Sequence, residues 1–435
     1  MTENARDAGL VRAVGPLALA ASFINCVVAS AIFVVPAALA AAVGAYASFA
    51  ILVCAAAMGA ILICFAAGGR RIATSGGPYG YIQSAFGPLA GCVAGTMLWV
   101  SDLLSCGGIA AAVGDAGASL VQPAFAPITR VAIVLGMLGV VSAINIVGVA
   151  WGARFIAVAT LLKLVPLAVS LVAGIVSVPQ GPNVPLAAPT MQGFGRAMIL
   201  GFFAFTGFEM PLIASGEVAQ PKRTIPLALG MAMGLVTLLY VAVQLVAQRM
   251  LGAALATSVA PLADAMARVS PALQALLLVG SSFSMFAWLG SDLLSTPRML
   301  FGLARDRMLP RFFGRLHPRA RTPHVAIISY AVVAALLAVT GSFAELVVLS
   351  TLPACILYLG SCAAAWVLAR RAQKSETVEP PSRWLRLAAI VGISSMVMLI
   401  ACASWAEIGG LAVLLGVTVL AYGVRLLKLK SAPAT

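Results

Sequence analysis

The stretch FFAFTGFEM, from Phe202 to Met210, decides how this chain is organised. It lies in an apolar run long enough to cross a membrane, yet Thr206, Gly207 and Glu209 interrupt it. An ionisable side chain inside a membrane span is costly and is usually functional. A glycine also weakens the helix in which it lies. The stretch therefore predicts a membrane helix that is broken near its middle.

The first apolar run contains a similar interruption. NCVVASAIFVVP, from Asn25 to Pro36, places small residues and Ser30 within an otherwise apolar helix. If the first and sixth spans occupy equivalent positions in two inverted repeats, paired broken helices indicate a substrate site near the middle of the membrane. The alternative is that the small residues only allow the helices to pack closely, which is common in membrane proteins.

Composition places the rest of the chain in the membrane as well. Of the 435 residues, 62% are hydrophobic and 9% are charged, which excludes an ordinary soluble enzyme, a disordered chain and a disulfide-stapled secreted domain. Apolar runs of about twenty residues, enough to cross the hydrocarbon layer, recur along the whole chain. We predict an all-α polytopic membrane protein with 12 transmembrane helices in a single membrane domain, residues 1–435. The predicted spans are 14–40, 44–67, 88–113, 131–150, 155–178, 194–216, 225–250, 272–300, 324–342, 346–370, 384–404 and 408–428.

The formal net charge of +14 indicates orientation rather than a nucleic-acid partner, because the basic residues flank apolar runs. If the N-terminus is cytoplasmic, the loops on that side hold about 22 of the 27 Lys and Arg residues, with a dense group in Arg298–Arg321. The opposite side holds Arg130, Arg196, Arg249 and Arg268. We therefore predict a multi-pass protein of the cell inner (plasma) membrane with both termini cytoplasmic.

The start of the chain agrees with this topology. An acidic, polar stretch, Thr2–Asp7, precedes the first apolar run, which exceeds about twenty residues. A signal peptide has a basic start and a shorter apolar core. We interpret the run as a retained first span.

No catalytic or metal-binding motif accompanies the spans. The eight cysteines form no CxxC pair, and His317 and His324 share one basic loop. The sequence contains no HExxH or GxSxG motif for an intramembrane hydrolase, and no P-loop for a primary pump. We expect no enzyme activity, no cofactor and no metal site.

Several strings give the chain a family resemblance. The first is SGGPYGY, at Ser75–Tyr81. The most specific combines FTGFE, at Phe205–Glu209, with PKRTIP, at Pro221–Pro226. NIVGV at Asn145–Val149 and ARD at Ala304–Asp306 support them. In this order, over nearly the whole chain, the strings resemble the amino acid–polyamine–organocation (APC) permeases.

This resemblance implies a LeuT-like fold of two inverted five-helix repeats plus two further helices. The repeats would cover about residues 14–178 and 194–370, and the additional helices would cover 384–428. Such proteins carry amino acids or amines by alternating access. Backbone N–H groups freed at a broken helix can hold a substrate carboxylate, and freed carbonyls can hold an ammonium.

The first break departs from the family pattern. In the family it is commonly Gly-Ser-Gly-Ile-Phe, whereas here it is Ala29-Ser30-Ala31-Ile32-Phe33. Two added methyl groups therefore lie where the backbone should approach the ligand. We expect them to narrow the end of the site that receives a carboxylate.

Two aspartates extend the implied site. Asp102 follows Trp99, and Asp292 follows Ser291; both fall where the arginine/agmatine antiporter, a family member, contacts its substrate's side chain, and Phe203 takes its aromatic gate position. Two buried carboxylates favour a cation or a shared proton between them, so a cationic amino acid or a diamine is slightly favoured as the substrate. The alternative is that each aspartate is a structural acid bonded to Ser, Thr or backbone groups. The implied substrate-binding residues are Ala29, Ser30, Ala31, Ile32, Asp102, Phe203, Phe205, Thr206, Gly207 and Asp292.

Lys163 and Glu209 are the implied proton-coupling residues. In proton-coupled members of the family, a lysine at this place in the fifth span stands where sodium binds in sodium-coupled relatives. Burial disfavours the charged form of a lysine and lets it exchange a proton. A lysine whose stem snorkels to the membrane surface would stay charged, and this is the alternative. Glu209 falls where the family places a glutamate next to the sixth-span break.

The sequence thus predicts a proton-coupled secondary transporter, or permease, of amino acids or related amines. Its partners would be a small-molecule substrate, protons and the lipid bilayer, with no nucleic acid. A neutral amino acid permease or exporter is the alternative within this class. A channel and a non-transporting membrane subunit are the alternatives from other classes.

Overall fold

Helices make up nearly all of the described chain. A computed structural model describes residues 14–28, 31–72, 77–119, 121–147, 149–177, 189–213, 218–305, 311–320, 322–374 and 382–431. Within these ranges an isolated parallel bridge joins Val14 to Val218. The prediction of an all-α protein is confirmed for this part of the chain.

The helices begin and end where local chemistry favours it. α5 and α10 start with proline, whose missing N–H has no helical partner in the first turn. Thr190 and Ser270 cap α8 and α12 by accepting a backbone N–H. In chain order the helices are α1 (Pro16–Val27), α2 (Ala31–Val43), α3 (Ala47–Arg71), α4 (Gly77–Phe86), α5 (Pro88–Ala118), α6 (Ala126–Val147), α7 (Val149–Val176), α8 (Met191–Ala204), α9 (Glu209–Ile213), α10 (Pro221–Leu251), α11 (Pro261–Ala267), α12 (Pro271–Ser295), α13 (Pro297–Arg305), α14 (His324–Thr340), α15 (Phe343–Lys374), α16 (Arg383–Ala401) and α17 (Trp405–Ser431).

Eight stretches of described helix are long and apolar enough to cross a membrane. One of them, Ala31–Arg71, contains 41 residues and includes both α2 and α3. Three further apolar helices are shorter: α1, α14 and the part of α7 from Lys163 to Val176. Many large apolar side chains on the outer faces are exposed, such as Leu238 and Val279, as expected of surfaces that lipid covers. The chain is a polytopic membrane protein.

Two helices are interrupted where the sequence predicted breaks. α1 ends at Val27 and α2 begins at Ala31. Ala29 and Ser30, at the centre of the predicted first break, lie outside the described residues. The turn residues 205–208 separate α8 from α9.

The other helices place these two breaks next to each other. α1 packs against α10 and α9, and α8 packs against α2, α3 and α15. α5 is largely buried and packs against α15, α14, α6 and α12. The broken helices, α5 and α12 therefore surround a common space. The short helices α4 and α11 were not predicted, because each is shorter than a membrane span.

Candidate functional site

A cavity lies where the two broken helices face α5 and α12. Both polar and apolar groups line it, and they come from the two broken helices, α5 and α12. Its lining is Asn25, Cys26, Val27, Ala31, Ser101, Asp102, Ser105, Ile109, Phe203, Thr206, Gly207, Glu209, Met210, Trp288, Ser291, Asp292 and Ser295.

Side chains from α7 and α10 bind the last carbonyl groups of α1. The Lys163 ammonium donates to the Asn25 carbonyl oxygen at 2.7 Å, and the Tyr240 hydroxyl donates to the Val27 carbonyl oxygen at 2.8 Å. Carbonyls in the last turn of a helix lack intrahelical donors, so these bonds satisfy them. Only 3% of Lys163 is exposed, so its ammonium lies inside the protein and does not snorkel to the membrane surface.

Glu209 holds the second break together. One of its carboxylate oxygens accepts from the Gly207 backbone N–H at 3.1 Å and from the Tyr358 hydroxyl at 2.5 Å. Tyr358 lies on α15, so the same carboxylate joins the turn to a neighbouring long helix. Glu209 is buried, and the two donated bonds compensate in part for the loss of water around it.

Gly207 is the point at which the two breaks meet. Its φ is +112°, a conformation that L side chains rarely adopt. A Cβ atom at this position would lie 3.2 Å from the Cys26 carbonyl oxygen on α1. Both the backbone conformation and the close approach therefore require glycine here.

Asp102 and Asp292 share one hydroxyl group. The Thr296 Oγ1 atom lies 2.8 Å from Asp292 Oδ1 and 3.2 Å from Asp102 Oδ2. The Tyr330 hydroxyl donates to Asp292 Oδ2 at 2.7 Å. A threonine hydroxyl has a single proton, so it cannot fully satisfy two carboxylates at once. The group forms a connected chain from α5 through α12 to α14.

No basic side chain in the described residues forms an ion pair with Asp102 or Asp292. Both aspartates are buried and line the cavity. Two ionised carboxylates so placed repel each other and have lost their water, so a proton or a cation between them is strongly favoured. The described ion pairs are Arg130 with Asp115 and Arg196 with Glu407.

Two of the described residues that the resemblance placed in the site face elsewhere. Ile32 lines a separate small pocket beside Tyr240, and the Phe205 ring packs against the Tyr240 ring with centroids 5.3 Å apart. Phe203 lines the cavity and packs edge-on against Phe343. The implied residues that the cavity brings together are Ala31, Asp102, Phe203, Thr206, Gly207, Glu209 and Asp292.

The cavity also contains residues that the sequence analysis did not assign to the site. Ser101, Ser105 and Ile109 lie beside Asp102 on one face of α5, and Ser291 and Ser295 flank Asp292 on α12. Ser105 and Ser295 each lie three residues after an aspartate, and this helical spacing would have found them. Thr296 also lies four residues after Asp292 and bonds it through that spacing. In contrast, the bonds from Thr296 to Asp102, from Tyr330 to Asp292 and from Tyr358 to Glu209 are tertiary contacts for which the sequence carries no local signal.

The family of this chain follows from comparison with known proteins. The profile described as amino acid permease matches residues 14–415. The chain belongs to the amino acid permease family, which is part of the APC superfamily. The resemblance inferred from the sequence strings is therefore confirmed.

Relatives of the permease are transporters. An uncharacterised transporter of Mycobacterium tuberculosis is 30% identical over 82% of this chain and 78% of its own length. The serine/threonine exchanger of Bacillus subtilis is 26% identical over 85% of this chain and 86% of its own length. The cationic amino acid transporter 4 of Mus musculus is 30% identical over 42% of this chain and 28% of its own length.

Proposed function

We propose that the permease is a secondary transporter that carries amino acids or related amines by alternating access. The observation that carries the proposal is the cavity between two broken helices. It is lined by the ends of those helices and by two carboxylates that have no basic partner among the described residues. In this proposal the chain crosses the membrane twelve times with both termini cytoplasmic. Two inverted repeats, at about residues 14–178 and 194–370, move relative to each other around the fixed site, and residues 384–428 add two helices.

The preferred substrate is a cation, either a basic amino acid or a diamine. Asp102 and Asp292 lie on opposite sides of the Thr296 hydroxyl without a basic partner among the described residues. The Lys163 ammonium forms no ion pair with either acid and bonds the Asn25 carbonyl. A positively charged substrate group would neutralise the acids. The Ala31 methyl group lines the same cavity and reduces the space near the first break.

A neutral amino acid is the second candidate. The serine/threonine exchanger of Bacillus subtilis matches most of this chain, and this favours a small uncharged substrate. In that case a proton shared between Asp102 and Asp292 would relieve their repulsion. The two candidates differ in whether the acids bind the substrate directly.

Proton coupling is assigned to Lys163 and Glu209. Lys163 bonds the end of α1, and Glu209 bonds the turn between α8 and α9. A change in the protonation of either group would therefore alter the ends of the two broken helices. These are the segments expected to move when the site opens to one side of the membrane or the other.

The experiment that tests the transport class is counterflow in proteoliposomes. A carrier exchanges labelled external substrate for unlabelled internal substrate, whereas a channel or a silent subunit does not. Arginine, lysine, putrescine, serine, alanine and leucine would each be tried as the internal substrate. Exchange with at least one of them is expected, and the absence of exchange with all of them would contradict the transporter assignment.

The substrate class is tested by comparing binding to the wild type, Asp102→Asn and Asp292→Asn. Removing one buried partner of a cation should weaken the binding of arginine, lysine or putrescine by about tenfold or more. Asp264→Asn is the control, because Asp264 bonds Ser258 and lies outside the cavity lining. A wild type that prefers serine, alanine or leucine would overturn the cationic assignment and support the neutral one.

A further inference from the structure

A groove on the outer surface lies apart from the substrate cavity. It runs between α3, α10 and the first turn of α16, and we call it the α3–α10–α16 groove. One end is basic and the remainder is apolar. Its lining is Gly59, Leu62, Ile63, Ala66, Ala67, Arg70, Arg71, Lys222, Pro226, Leu229, Gly230, Met233, Gly234, Ser382, Trp384 and Leu385.

The apolar part of the groove is kept open by glycines. A Cβ atom added at Gly59, Gly230 or Gly234 would meet no other atom within 4 Å. These glycines therefore do not serve close helix packing, and each has an ordinary negative φ. Gly230 and Gly234 lie one turn apart on α10, and Gly59 and Ile63 lie one turn apart on α3. Together they leave an open, apolar trough beside the helices, which suits an acyl chain.

Several groups that attract an anion line the basic end of the groove. Arg70 and Arg71 end α3, and Lys222 lies in the first turn of α10. The first turn of α16, capped by Ser382, presents the positive end of its helix dipole there. Trp384 is exposed at the same level, and tryptophan favours the headgroup region of a membrane. No acidic residue lines the groove within the described chain.

We propose that the α3–α10–α16 groove binds one anionic phospholipid. The phosphate lies among Arg70, Arg71 and Lys222, and one acyl chain lies along the glycine-lined trough between α3 and α10. Charge complementarity selects an anionic headgroup over a zwitterionic one, because the basic side chains have no acidic neighbour in the groove to offset them. In the proposed orientation this end of the groove faces the cytoplasm.

The headgroup is tested by native mass spectrometry of the delipidated permease. The protein would be titrated with phosphatidylglycerol and with phosphatidylcholine of the same acyl chains, and tighter binding of phosphatidylglycerol is expected. The double variant Arg70→Gln, Lys222→Gln should bind phosphatidylglycerol roughly thirtyfold more weakly. The double variant Arg315→Gln, Arg319→Gln is the control, because it removes two exposed charges outside the groove.

The acyl chain is tested with Gly230→Leu, which fills the trough. Its affinity for phosphatidylglycerol should fall about fivefold or more, as expected if one or two methylene groups lose their contact. Gly139→Leu is the matched control, because Gly139 is also an exposed helical glycine with open space around it, but lies on α6.

Three results would overturn the proposal. The first is equal affinity for the two lipids. The second is an equal loss in the groove and control charge variants, which would indicate only general attraction between the protein and anionic lipid. The third is unchanged binding by Gly230→Leu, which would place the lipid elsewhere.

Discussion

Lys163 connects two parts of the molecule that lie far apart in sequence. Its ammonium on α7 bonds the Asn25 carbonyl in the last turn of α1, next to the cavity. The bond uses a carbonyl that the helix end leaves free. Loss of the proton would remove charge at this point and weaken the bond. Gain or loss of a proton by Lys163 would therefore change the hydrogen bonding at the first break directly.

We predict that Lys163→Gln abolishes accumulation of substrate driven by a pH gradient and spares part of the exchange activity. Glutamine stays neutral, so the site can no longer change its charge during the cycle. The measurement is uptake into proteoliposomes under an imposed pH gradient, with counterflow recorded in parallel.

Arg249→Gln is the control for this experiment. It also removes a basic residue, but Arg249 lies in the last turn of α10 and outside the cavity lining. If Lys163→Gln still accumulates substrate when only a pH gradient is imposed, Lys163 does not couple transport to protons.

Individual residues differ in how far the sequence could predict their roles. Glu209 was identifiable because an ionisable side chain is unusual inside an apolar run, and Gly207 was identifiable because it belongs to the same family string. The bond from Tyr358 to Glu209 joins residues 149 positions apart, and no local pattern connects them. Ile32 and Phe205 follow family strings but face Tyr240 rather than the cavity. A string fixes the position of a residue along the chain, whereas its packing decides which side it faces.

At the scale of the helices, the N-termini of α15 and α17 share one four-residue capping pattern. Ser342 and Glu345 exchange hydrogen bonds at the start of α15, and Ser404 and Glu407 do so at the start of α17. This is a capping box, in which each side chain accepts the backbone N–H of the other. Glu407 additionally pairs with Arg196 on α8 at 3.0 Å.

The two capping boxes allow a matched comparison of stability. We predict that Glu407→Gln lowers the free energy of unfolding by roughly 0.5–1 kcal/mol more than Glu345→Gln does. Both substitutions weaken a capping box, but only the first also removes an ion pair, whose two side chains are 37% and 17% exposed. The measurement is thermal unfolding of the purified variants in one detergent. Equal losses would mean that the contact between α8 and α17 adds nothing to stability.

The helices themselves were largely predictable, because a run of about twenty consecutive apolar residues is typical of a membrane-spanning helix. The two breaks were predictable for a related reason, since Ser, Thr, Gly and Glu depart from that pattern. α4 and α11 were not, because each is too short to leave an apolar run of that length. The bonds from Thr296 to Asp102 and from Tyr330 to Asp292 were not predictable either, because they depend on how three helices pack.

At the scale of the whole molecule, packing and charge point to the same orientation. The end of α3 with Arg70 and Arg71, the start of α10 with Lys222 and the start of α16 all line one groove. These three helix ends therefore lie at one side of the membrane. By the positive-inside tendency, we propose that this side is cytoplasmic. α16 contains 19 residues, about the length of one crossing, so its other end should lie outside.

The orientation can be tested with a pair of alkaline phosphatase fusions, one before α17 and one in its last turn. We predict that a fusion after Ala403, between α16 and α17, is active and that a fusion after Lys430 is inactive. The enzyme needs disulfides, which form outside the cytoplasm and not within it. As an independent check, Cys402 is exposed and should react with a membrane-impermeant maleimide in intact cells. The Cys402→Ser variant controls for labelling of the other cysteines. High activity of the fusion after Lys430, with none after Ala403, would reverse the proposed orientation, and equal activity of both would show that α17 does not cross the membrane.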